Sequence, residues 1–336
     1  MGRALPLPMI FSERGKQTMT SIARSARKEL KPVRKRGFFA TLGSQWQLMI
    51  MSVPMFLYVL FFNYYPMYFW ITAFQDYKPK LGVAGSKFVG LKNFEWLFGR
   101  ADFINSIRNT LAMSVINLVF GTVAAVLLAV LLNEVRNRKF KRTVQTVTYL
   151  PHFLSMVIVV GMAQNLFAST GSINELLMGL GLVKEPVFFL GEGKYFWWMV
   201  GVINVWKEVG WGTIIYISAM TGIDPCLYEA ASIDGAGRWQ RILHVTLPGI
   251  RSTFVILLIM NIGHLLDTGF EIQYLLKSSG TMHVAYTVDL YVMEYGTQTL
   301  DIGLATAAGI FKSLVAIILL TGANLISRRI GEDSLL

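Results

Sequence analysis

The stretch EAASIDGAGRWQRILHVTLPGI, residues 229–250, sets two acids, two arginines, a histidine and a proline between two long apolar segments. These residue types suit contact with another protein. Asp224 is positioned to cap a short helix over Pro225 to Gly235, Glu229 to Ile233 favour that helix, and Gly235 and Gly237 break it. A second helical stretch, Arg238 to Leu247, is predicted to stop near Pro248, because proline disfavours helix in the residue before it. Small side chains at Ala230, Ala231 and Ala236 let a partner approach closely, and Glu229 offers a carboxylate to a partner arginine.

Other polar residues lie inside the apolar segments, where each is costly and needs a reason. Asn261, His264, Asp267, Thr268 and Glu271 fall within about 120° of arc on a helix advancing about 100° per residue. Asn204, Lys207, Glu208 and Trp211 cluster similarly on another. Facing stripes of this kind enclose a wet cavity. The alternative is structural pairing of Lys207 or Lys312 with Glu208 or Asp267. Acids together with His264 also suit general acid and base work in a membrane-embedded enzyme, such as a polysaccharide-processing transferase. That reading lacks a nucleotide or metal motif: four scattered histidines show no HExxH spacing, and Cys226 is the single cysteine. No metal site is expected.

The elements that hold these residues follow from composition. The chain is 54% hydrophobic and only 15% charged over 336 residues, against about 25% charged in soluble domains, so it is read as an all-α membrane protein. Runs of roughly 20 apolar residues cross a bilayer core as helix, and six are predicted: 48–70, 109–133, 144–168, 196–220, 252–276 and 302–326. Lysine and arginine mark the inner side. With the N-terminus inside, inner segments carry 20 of the 31 cations, outer segments nine, and Lys207 and Lys312 fall within spans. Both termini and the 221–251 loop are therefore predicted to be cytoplasmic. Residues 1–47 form a basic tail with ten cations and two acids, suited to anionic inner-leaflet lipid. No folded basic recognition module is visible, so no nucleic-acid partner is expected.

Glu229-Ala230-Ala231, Asp234-Gly235 and Val245-Thr246-Leu247-Pro248 resemble the cytoplasmic signature of ABC importer permeases, with Val245 where that family usually has isoleucine. The stretches LFFNYYPMYFWITAFQDYKP, FVGLKNFEWLF, YLPHFLSMVIVVGM, VWKEVGWG and GIFKSLVAIILLTGAN are similar to its carbohydrate branch, especially permeases for oligosaccharides from degraded polysaccharides. Phe69 departs from the glycine often found after PMY. The resemblance implies the type I importer permease fold over residues 48–336, in the bacterial cytoplasmic membrane. It also implies a second permease, two ATP-binding subunits and an extracytoplasmic solute-binding protein. No GxxxxGK[ST] loop occurs here, so ATP and Mg belong to the partner ATPase subunits, and the chain itself is a transport subunit without cofactor.

By the same resemblance, Glu229, Ala230, Ala231, Asp234, Gly235, Leu247 and Pro248 form the ATPase-coupling element. Asn204, Trp206, Lys207, Glu208, Trp211, Asn261, His264, Asp267, Thr268, Glu271, Tyr274 and Lys312 are the candidates for the substrate pathway. Trp206, Trp211 and Tyr274 offer stacking faces to sugars, and Lys312 offers a cation to an acidic sugar. Phe88, Leu91, Phe94 and Leu97 are expected to form an amphipathic helix at the outer interface. The segment HVAYTVDLYVMEYGTQTLD is expected either to meet the binding protein or to pack as a lid. Related permeases carry amino acids or glycerol phosphate, and these remain alternative cargoes.

Overall fold

The computed structural model describes residues 45–331. The basic tail predicted over 1–47 thus lies almost wholly outside the described residues, as does the chain after Gly331. Two compact units are distinguished, residues 1–67 and 68–336. In the first, helix α1 (Trp46–Val59) continues into a π turn, Leu60–Tyr64. The helical run extends as a 3-10 stretch, Tyr65–Phe74, into the second unit. The second unit contains a two-residue antiparallel ladder, Gln75–Asp76 with Lys87–Phe88, and then α2 (Lys92–Phe98), α3 (Ala101–Glu134), α4 (Arg138–Tyr149), α5 (Met156–Phe167), α6 (Ser172–Gly179) and α7 (Gly193–Thr221). It continues with α8 (Pro225–Ile233), α9 (Arg238–Arg241), α10 (Arg251–Gly263), α11 (Glu271–Leu276), α12 (Val288–Thr297) and α13 (Ile302–Ile330).

Among the described residues, four helical runs are long and apolar enough to cross a membrane: Trp46–Phe74, Ala101–Glu134, Met156–Gly179 and Ile302–Ile330. A fifth arises if Arg238–Gly249 and Arg251–Gly263, which meet at 59°, act as one broken span. The predicted span 196–220 is present as α7, 29 residues long. Asn204, Lys207 and Glu208 on it lower its hydropathy, so length and composition alone do not mark it as a span.

Three sequence expectations are corrected. The span predicted over 144–168 is split: α4 ends at Tyr149, Leu150–Phe153 form a 3-10 turn around Pro151, and α5 starts only after Ser155 caps it. The span predicted over 252–276 leaves the helix at His264, where Asp267 N–H donates to the His264 carbonyl and Gly269 takes φ +68°. A left-handed glycine beside Asp267 and Thr268 cannot continue a helix. Third, the helical stretch from Arg238 stops near Pro248 as expected, at Gly249, but not for the expected reason, since Leu247 before the proline is itself helical. It widens into a π turn at Ile242–Thr246, with Leu247 N–H donating to Ile242 O, and continues to Gly249. The same device precedes Pro66, where Tyr65 N–H reaches Leu60 O. In an α-helix the proline ring would press on the carbonyl four residues back, and a turn closed over five residues widens the helix at that carbonyl.

The core of the second unit is built on α3 and α7. Ile116 packs at Gly201, and Thr213 Oγ1 donates to Ala125 O at 3.3 Å, so the two helices run parallel. The chain then turns back, and α4 returns along α7 as far as Gly210. A methyl group at Gly210 would lie 2.1 Å from the Thr148 carbonyl oxygen. Gly210→Ala is therefore expected to separate α4 from α7 and to cost about 3 kcal/mol, the upper part of the overpacking range, since backbone cannot move aside as a side chain does. Thermal unfolding of the detergent-solubilised protein measures this as a lowered Tm.

Asn109 in α3 donates to His283 O and Tyr286 O at 2.9 and 3.0 Å, and Thr110 Oγ1 accepts from Val288 N–H at 3.0 Å. These bonds hold the segment before the last span against the bundle, with Ala285, Val288, Leu290 and Tyr291 fully buried. Burial pushes the Tyr286 and Tyr291 phenols well above their usual range, so both stay neutral. The stretch FVGLKNFEWLF is only partly helical. Phe88 lies in the ladder and Leu91 is exposed, whereas Leu97 is buried and Phe94 packs beside it.

Candidate functional site: a polar cleft and a protruding helix pair

A cleft of about 570 Å³ lies among α3, α7 and the end of α10. Its polar lining includes Ser114, Asn117, Asn204, Glu208, Asn261 and His264, with Asp267 and Thr268 beside the helix break and Trp211 and Tyr216 as its large aromatics. Seven sequence candidates thus share one cavity: Asn204, Glu208, Trp211, Asn261, His264, Asp267 and Thr268. The reason differs from the one the sequence suggested, because His264, Asp267 and Thr268 reach it from non-helical backbone and not from a continuous stripe.

The remaining candidates lie elsewhere. Trp206 is exposed and outside the cleft lining. Glu271 is exposed as the first residue of α11, and Tyr274 has the Lys277 ammonium 4.6 Å from its ring centre. Lys207 is buried, with Nζ donating to His152 O at 2.8 Å and to Glu208 Oε1 at 3.3 Å. Lys312 Nζ donates to Asp267 Oδ1 at 2.5 Å and also to Asp289. Both lysines that fall within the predicted spans are therefore held by protein oxygens, as a charge withdrawn from water requires.

Residues absent from the sequence reading complete the site. His152 comes from the turn that splits the predicted third span. Its ring stacks on Trp211 with centroids 4.7 Å apart and planes 7° from parallel, and its Nδ1 lies 2.7 Å from Glu208 Oε2. Glu208 is thus clamped between His152 and Lys207, and one face of Trp211 is covered. Asp289 belongs to the amphipathic segment before the last span, whose polar positions gave no sign of a bridge to Lys312. Ser114 Oγ and Asn117 Oδ1 are buried without a hydrogen-bond partner in the protein. An unpartnered buried polar atom is costly unless something completes it, and both residues line the cleft.

The second feature is the loop over 221–251. Asp224 accepts from Cys226 N–H at 2.9 Å and Pro225 opens α8. At the other end Gly235 takes φ +79°, with its N–H on Ser232 O and Ala236 N–H on Ala231 O. This is a Schellman ending, whose left-handed position glycine fills without penalty. Arg241 donates to Ser232 Oγ at 3.2 Å, and the Tyr228 hydroxyl bonds Thr246 Oγ1 at 3.0 Å, so α8 is tied to the stretch after Gly237. Glu229, Ala230, Asp234, Gly235 and Pro248 are exposed, Ala231 and Leu247 are half-buried, and Leu247 packs with Tyr228 on the core. Ile233 is 87% exposed and Trp239 74% exposed, so this polar knob carries large apolar side chains that nothing in the protein covers.

Comparison with known proteins gives this geometry a family. Residues 117–332 match the model of the binding-protein-dependent transport system inner membrane component. Protein LplB of Bacillus subtilis (strain 168) is 42% identical over 299 residues, 89% of this chain and 93% of LplB. The polygalacturonan/rhamnogalacturonan transport system permease protein YteP of the same organism is 42% identical over 306 residues, 91% of this chain and 95% of YteP. Among solved structures, a bacterial ABC transporter involved in the import of the acidic polysaccharide alginate contains a chain that superposes with TM-score 0.80 at 38% identity, covering 88% of this chain and 99% of that one. A bacterial alginate ABC transporter in complex with an alginate pentasaccharide-bound periplasmic protein contains a chain that gives TM-score 0.81 at 37% identity, over 89% and 100% of the two chains. With more than half its length matched by the family model and close relatives along nearly all of it, this chain belongs to the permeases that form the inner membrane component of binding-protein-dependent transport systems.

Proposed function

We propose that this chain is the permease subunit of an ATP-driven importer in the bacterial cytoplasmic membrane, forming half of the path for an oligosaccharide delivered by an extracytoplasmic binding protein. The observation that carries the reading is the cleft: hydrogen-bonding groups from α3, α7 and α10, with Ser114 Oγ and Asn117 Oδ1 unpartnered, line it beside the rings of Trp211 and Tyr216, a lining suited to sugar hydroxyls. Likeness to permeases whose names state carbohydrate transport supports the same cargo. Six spans complete the path in this reading: the four long apolar helices, α7, and the segment that begins with α10 and breaks after Gly263. Both termini and the knob face the cytoplasm, in keeping with the distribution of lysine and arginine.

A second permease and two ATP-binding subunits complete the assembly, with ATP and Mg on the latter. The knob built from Glu229, Ala230, Ala231, Asp234 and Gly235 and steadied by Leu247 and Pro248 seats in an ATPase subunit, so that closure of the ATPases turns the spans as rigid bodies. The test is ATP hydrolysis by the purified complex in the presence of its binding protein loaded from a panel of solutes. Stimulation by oligosaccharides and not by amino acids or glycerol phosphate is expected. Stimulation by one of the latter, with none by any oligosaccharide, rules out the cargo.

A further inference from the structure

Helix α4 follows a span, precedes the turn that carries His152, and concentrates charge at one end. Arg136, Arg138, Lys139, Lys141 and Arg142 stand within seven residues, all but Lys141 exposed. None of them forms an ion pair among the described residues. Beyond Arg142 the helix has no charge. At about 100° per residue, Phe140, Val144 and Val147 share one face, with Lys139 and Lys141 on its two flanks. Phe140 is 57% and Val147 63% exposed.

The packing sets the depth of this helix. Because α3 and α7 run parallel, the end of α3 at Glu134 lies level with the end of α7 near Thr221. The chain reverses there, and Thr148 meets Gly210 eleven residues before Thr221, about 16 Å along the axis at about 1.5 Å per residue. The cationic end therefore sits at the membrane surface on the side of the knob, while the uncharged end is inserted beside α7. Apolar side chains at both ends face away from the protein.

We infer that the first turns of α4 form a binding site for the headgroups of anionic phospholipids, with Arg138, Lys139, Lys141 and Arg142 holding the phosphates and Phe140 resting among the upper acyl carbons. Charge complementarity selects the ligand, because unpaired surface cations beside an apolar face match anionic lipid and gain little from zwitterionic lipid. The site reaches the cleft through the backbone: α4 leads into Leu150–Phe153, and the carbonyl and ring of His152 hold Lys207 and Glu208. Lipid binding at one end of α4 thereby steadies the clamp at the other.

The test uses the full chain with its co-purifying subunits, in nanodiscs of phosphatidylcholine with or without phosphatidylglycerol, and counts retained lipids by native mass spectrometry. Wild type is expected to retain phosphatidylglycerol preferentially. The variant combining Arg138→Gln, Lys139→Gln, Lys141→Gln and Arg142→Gln is expected to lose that preference at least about tenfold, given about fivefold per cation near the surface. Exchanging lysine and arginine at the same positions is expected to keep it. An assembled glutamine variant that keeps the wild-type preference overturns the site. Loss of the ATP-binding subunits from the glutamine variant with its lipid preference intact also overturns it, because the cations then serve a protein surface. The count is independent of cargo, so failure of the oligosaccharide reading leaves this outcome unaffected.

Discussion

Glu229→Lys is expected to abolish uptake while leaving the protein folded and inserted. Glu229 is exposed in α8 and makes no ion pair among the described residues, so reversing its charge removes no internal contact. The helix itself is secured elsewhere, by the Asp224 cap and the Schellman ending at Gly235. In the proposed assembly what changes is the surface offered to the ATPase subunit, where a carboxylate becomes an ammonium. Reversal across a docked interface costs several kcal/mol, enough to drop coupled transport by about a hundredfold or more. Uptake by cells and basal ATP hydrolysis by the purified complex separate the outcomes: lost uptake with normal accumulation fits a coupling role, and normal uptake removes it.

Lys312→Met is expected to cost the protein its stability before it costs any specificity. The ammonium is bound by Asp267 from the break after α10 and by Asp289 from α12, so one side chain of α13 pins two segments that no helix connects directly. Removing it leaves two neighbouring carboxylates without their cation. Breaking a buried pair costs about 3 to 5 kcal/mol; the lower end applies, since Asp289 is 14% exposed but Asp267 is 57% exposed and solvent screens that arm. Accumulation of assembled complex is the measurement, and adding Asp267→Asn with Asp289→Asn is expected to restore much of it. A Lys312→Met variant that assembles normally yet loses only acidic oligosaccharides would transfer the lysine from the scaffold to the cargo.

The two lysines illustrate how far local pattern reaches. A charge in an apolar run signals that a partner exists, because an unpaired one is too costly, and Asp267 was among the partners the sequence offered for Lys312. Asp289 was not, since residues 23 apart in different elements share no periodicity. For Lys207 the expected acid, Glu208, contributes one bond, while the other comes from a backbone carbonyl at His152. Carbonyls carry no sequence signal at all. The helical stripe from Asn261 to Glu271 assumed one continuous helix, and the break at His264 removes Glu271 and Tyr274 from the cleft while turning Asp267 and Thr268 towards it.

Alone, the sequence determined the membrane class, the apolar runs and the capped short helix with its glycine ending. Each of these depends on neighbours in the chain: hydrophobic length, a side-chain cap one residue before a proline, a left-handed position that glycine occupies freely. It also carried the family, because the motif around Glu229 and Pro248 is local. Only the tertiary structure decided which polar residues share a cavity, that His152 closes one face of Trp211, and that Lys312 joins two acids. Those depend on where a helix stops and how closely α4 approaches α7 at Gly210, and such distances arise when separate segments are pressed together by packing.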